Sequence, residues 1–177
     1  EMSPEEIEET IAILDTNVAK VPVIIDLKAM VAAKKAVYVG QKAPDFTLND
    51  VDGNPVTLSS KVGAKLLLVD FWAAWCRPCR VENPNIVKVY NMFHKKGFDI
   101  LGVSLDMTKD DWVKAIADDK LTWTQVSDLK YWNNAAARLY EVNLIPANFL
   151  LDETGTIIAR DITGDKLLNK VTEILGK

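Results

Sequence analysis

Histidine and cysteine are scarce in this 177-residue chain, which holds one of the first and two of the second. The scarcity excludes a multi-disulfide framework, which spreads many cysteines over loops. It also argues against structural zinc, because a tetrahedral site takes four protein ligands, or three and a water. Only His94 could join Cys76 and Cys79, and it lies about four turns along the same predicted helix. Neither cysteine is left over for bracing, so cysteine usage does not reveal the compartment. No apolar run approaches the ~18 residues of a membrane span. A basic cluster is missing too: 21 Lys and Arg stand against 25 Asp and Glu, a formal net charge of −4. A nucleic-acid footprint is therefore not expected. No secretory signal is visible, and a chain starting at Glu1 reads as a processed or truncated product. Internal repeats and low-complexity segments are absent.

What the chain does have is 49% apolar content, enough for one well-packed domain and a short appendage, not for two full domains. The first residues read as two short helices. Ser3-Pro4-Glu5-Glu6 combines an N-cap serine, a first-turn proline and a glutamate three residues after the cap. Ile7, Ile11, Leu14 and Val18 follow at helical spacing. Pro22 restarts a second stretch through Ile24, Leu27 and Val31 to Lys34 and Lys35. Residues 1–38 thus read as a helical arm or linker stub and 39–177 as the domain, with the run from Gly40 to Pro44 marking the join.

Within the domain, Phe46-Thr47-Leu48 and Val56-Thr57-Leu58 alternate around the turn Asp52-Gly53-Asn54, which predicts a hairpin. Residues 65–72 (KLLLVDFW) form a nearly unbroken apolar run, as a strand covered on both faces requires. It runs straight into the cysteine pair. A helix is predicted over 77–96, with Val81, Ile86, Val89, Tyr90 and Phe93 inward. Others follow over 110–119 (Trp112, Ala115 and Ile116 on one side), 133–140 and 164–175. Strands are predicted over 98–105 and 122–126. A second hairpin joins 149–152 to 157–160 across Glu153-Thr154-Gly155. Strands alternating with helices predict an α/β chain, a mixed sheet with helices on both faces.

The chemistry resides in Trp75-Cys76-Arg77-Pro78-Cys79. Two residues between cysteines in a first helical turn bring their Cα atoms within the ~4.4–6.8 Å that a disulfide needs. A buried strand delivers Cys76 to the sheet edge, where a helix begins. Unsatisfied N–H groups and the positive end of the helix dipole both stabilise a thiolate. Such a setting lowers a cysteine from its free value of ~8.5. Cys76, first in the turn, is expected to be the exposed nucleophile, and Cys79, one turn in, the shielded resolving thiol. Cys76 would attack a disulfide to form a mixed disulfide, and Cys79 would then release the reduced product. The reverse sequence would oxidise a dithiol. A purely structural disulfide closing so short a loop would add little stability.

The segment Val69-Asp70-Phe71-Trp72-Ala73-Ala74-Trp75-Cys76-Arg77-Pro78-Cys79 resembles the thioredoxin active-site strand and turn. The wider chain is similar to one branch, the TlpA/ResA-like thiol–disulfide interchange proteins of bacteria, within an AhpC/TSA-like group. Gly40-Gln41-Lys42-Ala43-Pro44-Asp45-Phe46 carries this similarity, as do Glu82 and Pro84 after Cys79. So do Trp132 before a helix and Ile145-Pro146 leading into Phe149-Leu150-Leu151-Asp152. The resemblance covers 40–177 and leaves the arm outside, where some relatives carry an upstream domain. It implies a thioredoxin-like three-layer sandwich with an N-terminal hairpin. It also implies a protein-disulfide oxidoreductase, foremost a reductase, whose sole redox group is its own disulfide, with no metal. Partners would be protein disulfides or dithiols and an upstream electron donor. The location would be extracytoplasmic (periplasmic), with membrane tethering outside these residues left open. Apocytochrome thiols, as in cytochrome c maturation, other secreted proteins or a broad set all remain open as substrates.

Individual positions follow from the same resemblance. Pro146 matches a cis-proline that would expose the backbone of Ile145 to an extended substrate strand beside Cys76. The residues alone also fit a trans proline starting an edge strand. Asp70 ends a hydrophobic strand, where a lone carboxylate is costly and its pKa should rise. It matches the buried acid of thioredoxin, thought to move protons to and from the inner thiol; a solvated strand-end Asp is the alternative. Glu82 matches an acid near the inner cysteine and substrate groove, though the helix dipole alone favours an acid there. Arg77 would favour the Cys76 thiolate unless solvent screens it. Pro78 supports the turn, and Pro84 matches a helix-kinking proline. Trp72, Trp75 and Trp132 would frame the site, with Trp75 on the substrate side, while packing accounts equally well for Trp72 and Trp132. Ala147-Asn148 stands where a small hydroxyl residue is more usual.

Two other readings compete. A peroxiredoxin-like peroxidase shares the Gly40–Phe46 motif, but its peroxidatic cysteine needs a Thr three residues earlier, where this chain has Ala73. A non-enzymatic interaction module with the arm as docking surface would tolerate loss of a cysteine, and both are present.

Overall fold

The computed structural model describes residues 22–176 together with Glu6, Glu9, Thr10, Ala12 and Ile13. The first predicted helix, carried by Ser3, Pro4, Glu5, Ile7, Ile11, Leu14 and Val18, lies outside the described residues. The second is present as α1 (Pro22–Ala36). Its Val31 is buried, and Val37 just beyond it is 1% exposed within the main hydrophobic core. None of the described helices is long and apolar enough to cross a membrane.

The domain is built on one seven-stranded mixed sheet of order β2-β1-β5-β4-β3-β6-β7. The predicted first hairpin is β1 (Thr47–Asp50) and β2 (Pro55–Thr57), paired antiparallel. Asp50 closes its turn by accepting from the N–H groups of Asp52 and Asn54 at 2.9 and 2.8 Å. The parallel centre comprises β3 (Leu66–Trp72), β4 (Phe98–Ser104) and β5 (Thr124–Ser127). The second hairpin, β6 (Ala147–Asp152) and β7 (Ile157–Arg160), pairs antiparallel to β3 through β6. Residues upstream of the hairpins add to the β7 edge: Gly40 N–H donates to Ile157 O at 2.8 Å, and Ile157 N–H to Gln41 O at 2.9 Å.

All seven residues of β3 are buried, as an apolar run covered on both faces requires. Alternation splits them between two layers. Phe71 turns to an aromatic cluster with Tyr140 and Phe149, at centroid distances of 5.5 and 5.9 Å. The Tyr140 hydroxyl donates to Pro44 O at 2.7 Å, fastening the start of the domain to this layer. Asp70 and Trp72 face the other layer, under α2 (Arg77–Phe93), which packs against α3 (Lys109–Asp119) and α5 (Gly164–Leu175). The helix expected over 133–140 is divided into a 3-10 turn (Tyr131–Asn133) and α4 (Ala135–Leu139). The result is the expected α/β three-layer sandwich.

One inward assignment fails. Val81 is 70% exposed. The buried positions of α2 are Cys79, Asn83, Ile86, Val89, Tyr90 and Phe93. Val81 lies two residues, about 200°, from Cys79 and points away from that stripe. A polar residue, Asn83, takes the core-facing slot because its amide donates to Asp119 at 2.6 Å.

Gly102 on β4 has a packing reason. A Cβ there would lie 2.1 Å from Gln125 Oε1, the atom that accepts the buried Trp72 indole N–H at 2.9 Å. Gly102→Ala should therefore displace Gln125 and orphan that donor, costing about 2–4 kcal/mol of overpacking and lost hydrogen bonding. Guanidinium unfolding of the two proteins checks this, the expected result being a lower midpoint at unchanged slope.

Candidate active site

The chain leaves β3 at Trp72 and enters α2 at Arg77. Between them both backbone groups of Ala74 are held. Its N–H donates to the two oxygens of Asp106, at 3.1 Å each. Its carbonyl accepts from Arg80 Nη1 at 3.2 Å. Arg80 is itself paired with Asp119 through Nε, and through Nη2 at 2.8 Å. Asp106 is buried and also accepts from Ser104 Oγ at 2.8 Å. Burial raises its carboxyl above the usual range despite those hydrogen bonds.

Cys76 is the N-cap of α2 and forms a disulfide with Cys79, Cα to Cα 5.3 Å. Its sulfur accepts the Cys79 N–H at 3.2 Å. That bond supplies what a sulfur anion needs at a helix start, a backbone donor already aimed at it. Pro78 sits in the first turn, where a missing N–H costs nothing. Cys79 is shielded as expected, at 1% exposure, but Cys76 is only 4% exposed rather than open to solvent. Its side chain folds back over the first turn toward the Cys79 N–H, and the exposed residues of the turn are Arg77 and Pro78.

The peptide bond before Pro146 is cis. Register places it at the site. Ala147 is opposite Phe71 in the antiparallel β3–β6 ladder, so Ile145 and Pro146 run alongside the end of β3 that leads to Cys76. Ile145 lies outside that ladder.

Asp70 is 3% exposed, with one carboxylate oxygen lacking any hydrogen-bond partner. Burial, aided by the charge of Glu82, pushes its pKa up to about 7. Asn148 stands opposite it in the ladder, but the Asn148 amide donates to Ile162 O at 2.8 Å and accepts Ile162 N–H at 3.0 Å. The unusual Asn148 thus ties β6 to the segment entering α5. Glu82 has a partner that sequence alone did not suggest: its carboxylate accepts the Gly164 N–H at 2.6 Å, capping α5 where Thr163 makes no side-chain cap. Pro84 lies inside α2, as the resemblance implied.

Trp75 is 44% exposed, and its ring meets Tyr131 at 5.0 Å and Trp132 at 6.0 Å. Trp72 is buried. Sequence reasoning missed Tyr131, Asp106, Arg80 and Asp119. The adjacent Trp132 was the one available pointer to Tyr131, whereas single charges at strand and helix ends carry no signal of mutual contact. His94 packs its ring on Tyr90 at 4.5 Å. Among the described residues, no group of three or more His, Cys, Asp or Glu side chains is placed to hold a metal.

A cysteine pair opening a helix, fed by an inner strand of a mixed sheet and flanked by a cis-proline, defines a thioredoxin-fold thiol–disulfide oxidoreductase. Residues 39–160 match the AhpC/TSA family, and the chain belongs to that family. It is 34% identical over 131 residues to the thiol-disulfide oxidoreductase ResA of Geobacillus thermodenitrificans, covering 74% of this chain and 72% of that protein. Among solved structures it is similar to the thioredoxin domain of a thiol-disulfide oxidoreductase from Bacteroides vulgatus. There the TM-score is 0.72 and identity 41%, covering 78% of this chain and 98% of the other. A thiol:disulfide interchange protein from Bacteroides sp. gives a TM-score of 0.73 at 39% identity, covering 80% and 93%.

The buried acid makes stability pH-dependent with a definite sign. Asp70 titrates at 3.8 in the unfolded chain and at about 7 in the native one. Between those values the unfolded chain has released a proton that the native protein keeps, so stability falls as pH rises through the window. Oxidised Asp70→Asn should exceed the wild type at pH 8 by roughly 2–4 kcal/mol and converge with it toward pH 4. Urea unfolding at the two pH values checks this, and an equal difference at both would contradict it.

Proposed function

We propose that the chain reduces protein disulfides, with Cys76 as nucleophile and Cys79 as resolving thiol. The observation that carries the reading is the Cys79 N–H aimed at the Cys76 sulfur at the start of α2. The Cys76 thiolate attacks a substrate disulfide and expels one substrate thiolate. Cys79, deprotonated, then attacks Cys76 and expels the second, leaving substrate with two more electrons and the Cys76–Cys79 disulfide closed. An upstream dithiol donor returns the pair to its reduced state.

The supporting residues take roles consistent with this direction. Asp70, under α2 and able to exchange a proton near neutrality, would accept the Cys79 proton when the mixed disulfide is resolved. Glu82 would tune that exchange through its charge on Asp70. Arg77 and Pro78 line the exposed turn. Ile145 would pair its backbone with an extended substrate strand, and Pro146 and Trp75 would flank it. The similarity to ResA-like proteins supports an extracytoplasmic setting. It is also consistent with a thioredoxin-like domain spanning 39–177, with 1–38 as a helical arm or linker stub.

Insulin reduction driven by dithiothreitol tests the activity, and Cys76→Ser should bring it to background. Cys79→Ala should accumulate a covalent substrate adduct, visible as a mass shift lost on reduction. Peroxide consumption at a comparable rate, without insulin reduction, would favour the peroxidase reading instead.

A further inference from the structure

Tyr131 sits where tyrosine rarely does. Its φ is 55°, and Leu129 before it has φ 57°. Left-handed backbone is an outlier for a bulky residue, and it persists only where the surroundings over-determine it. Here they do. Asp128 Oδ1 accepts from the Lys130 N–H at 3.2 Å and from Asn134 Nδ2 at 2.9 Å. Asp128 Oδ2 accepts the Ala135 N–H at 3.0 Å. Ser127 Oγ accepts the Leu129 N–H at 3.0 Å and donates to Ser104 O on β4 at 2.8 Å. The Asn134 N–H closes back on Tyr131 O at 3.0 Å.

What this loop secures is a ring position. Tyr131, Trp75 and Trp132 are in mutual contact, with centroids 5.0, 5.9 and 6.0 Å apart. Trp75 is 44% exposed and Tyr131 37%. Large aromatics left partly in water at a strained position do little for the core, and rigid aromatic surface of this kind is what binding sites use. The cluster is continuous with the reacting atoms, because Trp75 precedes Cys76 in the chain. Cys76 is 4% exposed, so a peptide or protein whose sulfur meets it also brings its flanking residues against this rim.

We propose that Tyr131 is a specificity-determining residue: with Trp75 it forms an apolar shelf beside the disulfide that receives an aliphatic or aromatic side chain flanking the substrate's cysteine. The proposal rests on the thiol–disulfide exchange described above and names the class of segment it prefers, disulfides with apolar rather than acidic neighbours.

Two symmetric peptide disulfides test it, one with Leu and one with Glu on either side of the cysteine, alongside hydroxyethyl disulfide as a small control. The readout is the second-order rate of oxidation of the full, reduced chain. Wild type should favour the Leu peptide over the Glu peptide by about 10-fold or more. Tyr131→Ala should lose that ratio through a slower rate on the Leu peptide, with the control within about twofold of wild type. Tyr131→Phe should keep it. Tyr131→Gly, suited to the left-handed backbone, should lose the ratio yet melt higher than Tyr131→Ala. No preference in wild type, or equal slowing of all three substrates by Tyr131→Ala, would overturn the shelf while leaving the exchange activity standing. A wild type inert toward all three would overturn the exchange reading and the shelf with it.

Discussion

A strand with no solvent face, paired on both sides inside the sheet, governs the placement of everything reactive here. Each residue of β3 is enclosed, and β4 and β6 clamp it in register from both sides. The chain can leave such a strand only at its end, so the first peptides outside the ladder come after Trp72. The next element is a helix on one face, and its unpaired amides open at that same end. The antiparallel partner β6 begins there too, which brings Pro146 alongside without any long-range adjustment. Nucleophile, helix terminus and proline meet because of topology, as ligand sites in open α/β sheets generally lie beyond the carboxyl ends of the strands.

The same enclosure creates the site's electrostatic tension. Asp70 is the one ionisable group on β3, and the sheet offers it nothing: the Asn148 amide opposite is spent on Ile162. A carboxyl in that position is costly to charge, so it stays protonated up to about pH 7. Glu82 adds to the cost of ionising it. The Gly164 N–H holds that second carboxylate in place, so α5 enters the site's electrostatics through its N-terminus even though it supplies no side chain to the cysteines. The charge felt by Asp70 is therefore set in part by a carboxylate that another helix holds in position.

The strand, the pair and the shielding of Cys79 were legible before the fold was known, because they rest on local signals: a run of apolar residues and a two-residue spacing at a helix start. The cis-proline was legible only through the family resemblance, since the residues alone also fit a trans bond. Val81 was misread because its own hydrophobicity outweighed the phase of the stripe, which Asn83 disguises by being polar. Exposure of Cys76 was misread because position in a turn does not reveal where a side chain folds. Glu82 capping α5 spans 82 positions, and Arg80 with Asp119 spans 39. Contacts of that kind are products of packing and leave no periodic trace. Tyr131 was missed for a third reason: a left-handed tyrosine is the opposite of what propensity predicts, and its cause lies in Asp128 and Ser127 rather than in itself.

The anchors of the active-site turn divide into those that involve sulfur and those that do not. Ala74 is held by Asp106 on one side and by Arg80 on the other, and Arg80 links α2 to α3 through Asp119. None of these bonds uses a sulfur. The described hydrogen bond that does runs from the Cys79 N–H to the Cys76 sulfur. Opening the disulfide therefore removes one covalent link from a frame that is otherwise complete, and the frame keeps the N–H aimed where the sulfur charge develops. That is preorganisation in the ordinary sense: the donor need not be gathered at the moment of reaction. It also separates two neighbours by function. Ala74 is fastened to the core, while Trp75, next along the chain, is free to face a partner. The turn can engage substrate with one residue and keep the nucleophile's geometry with the one before it.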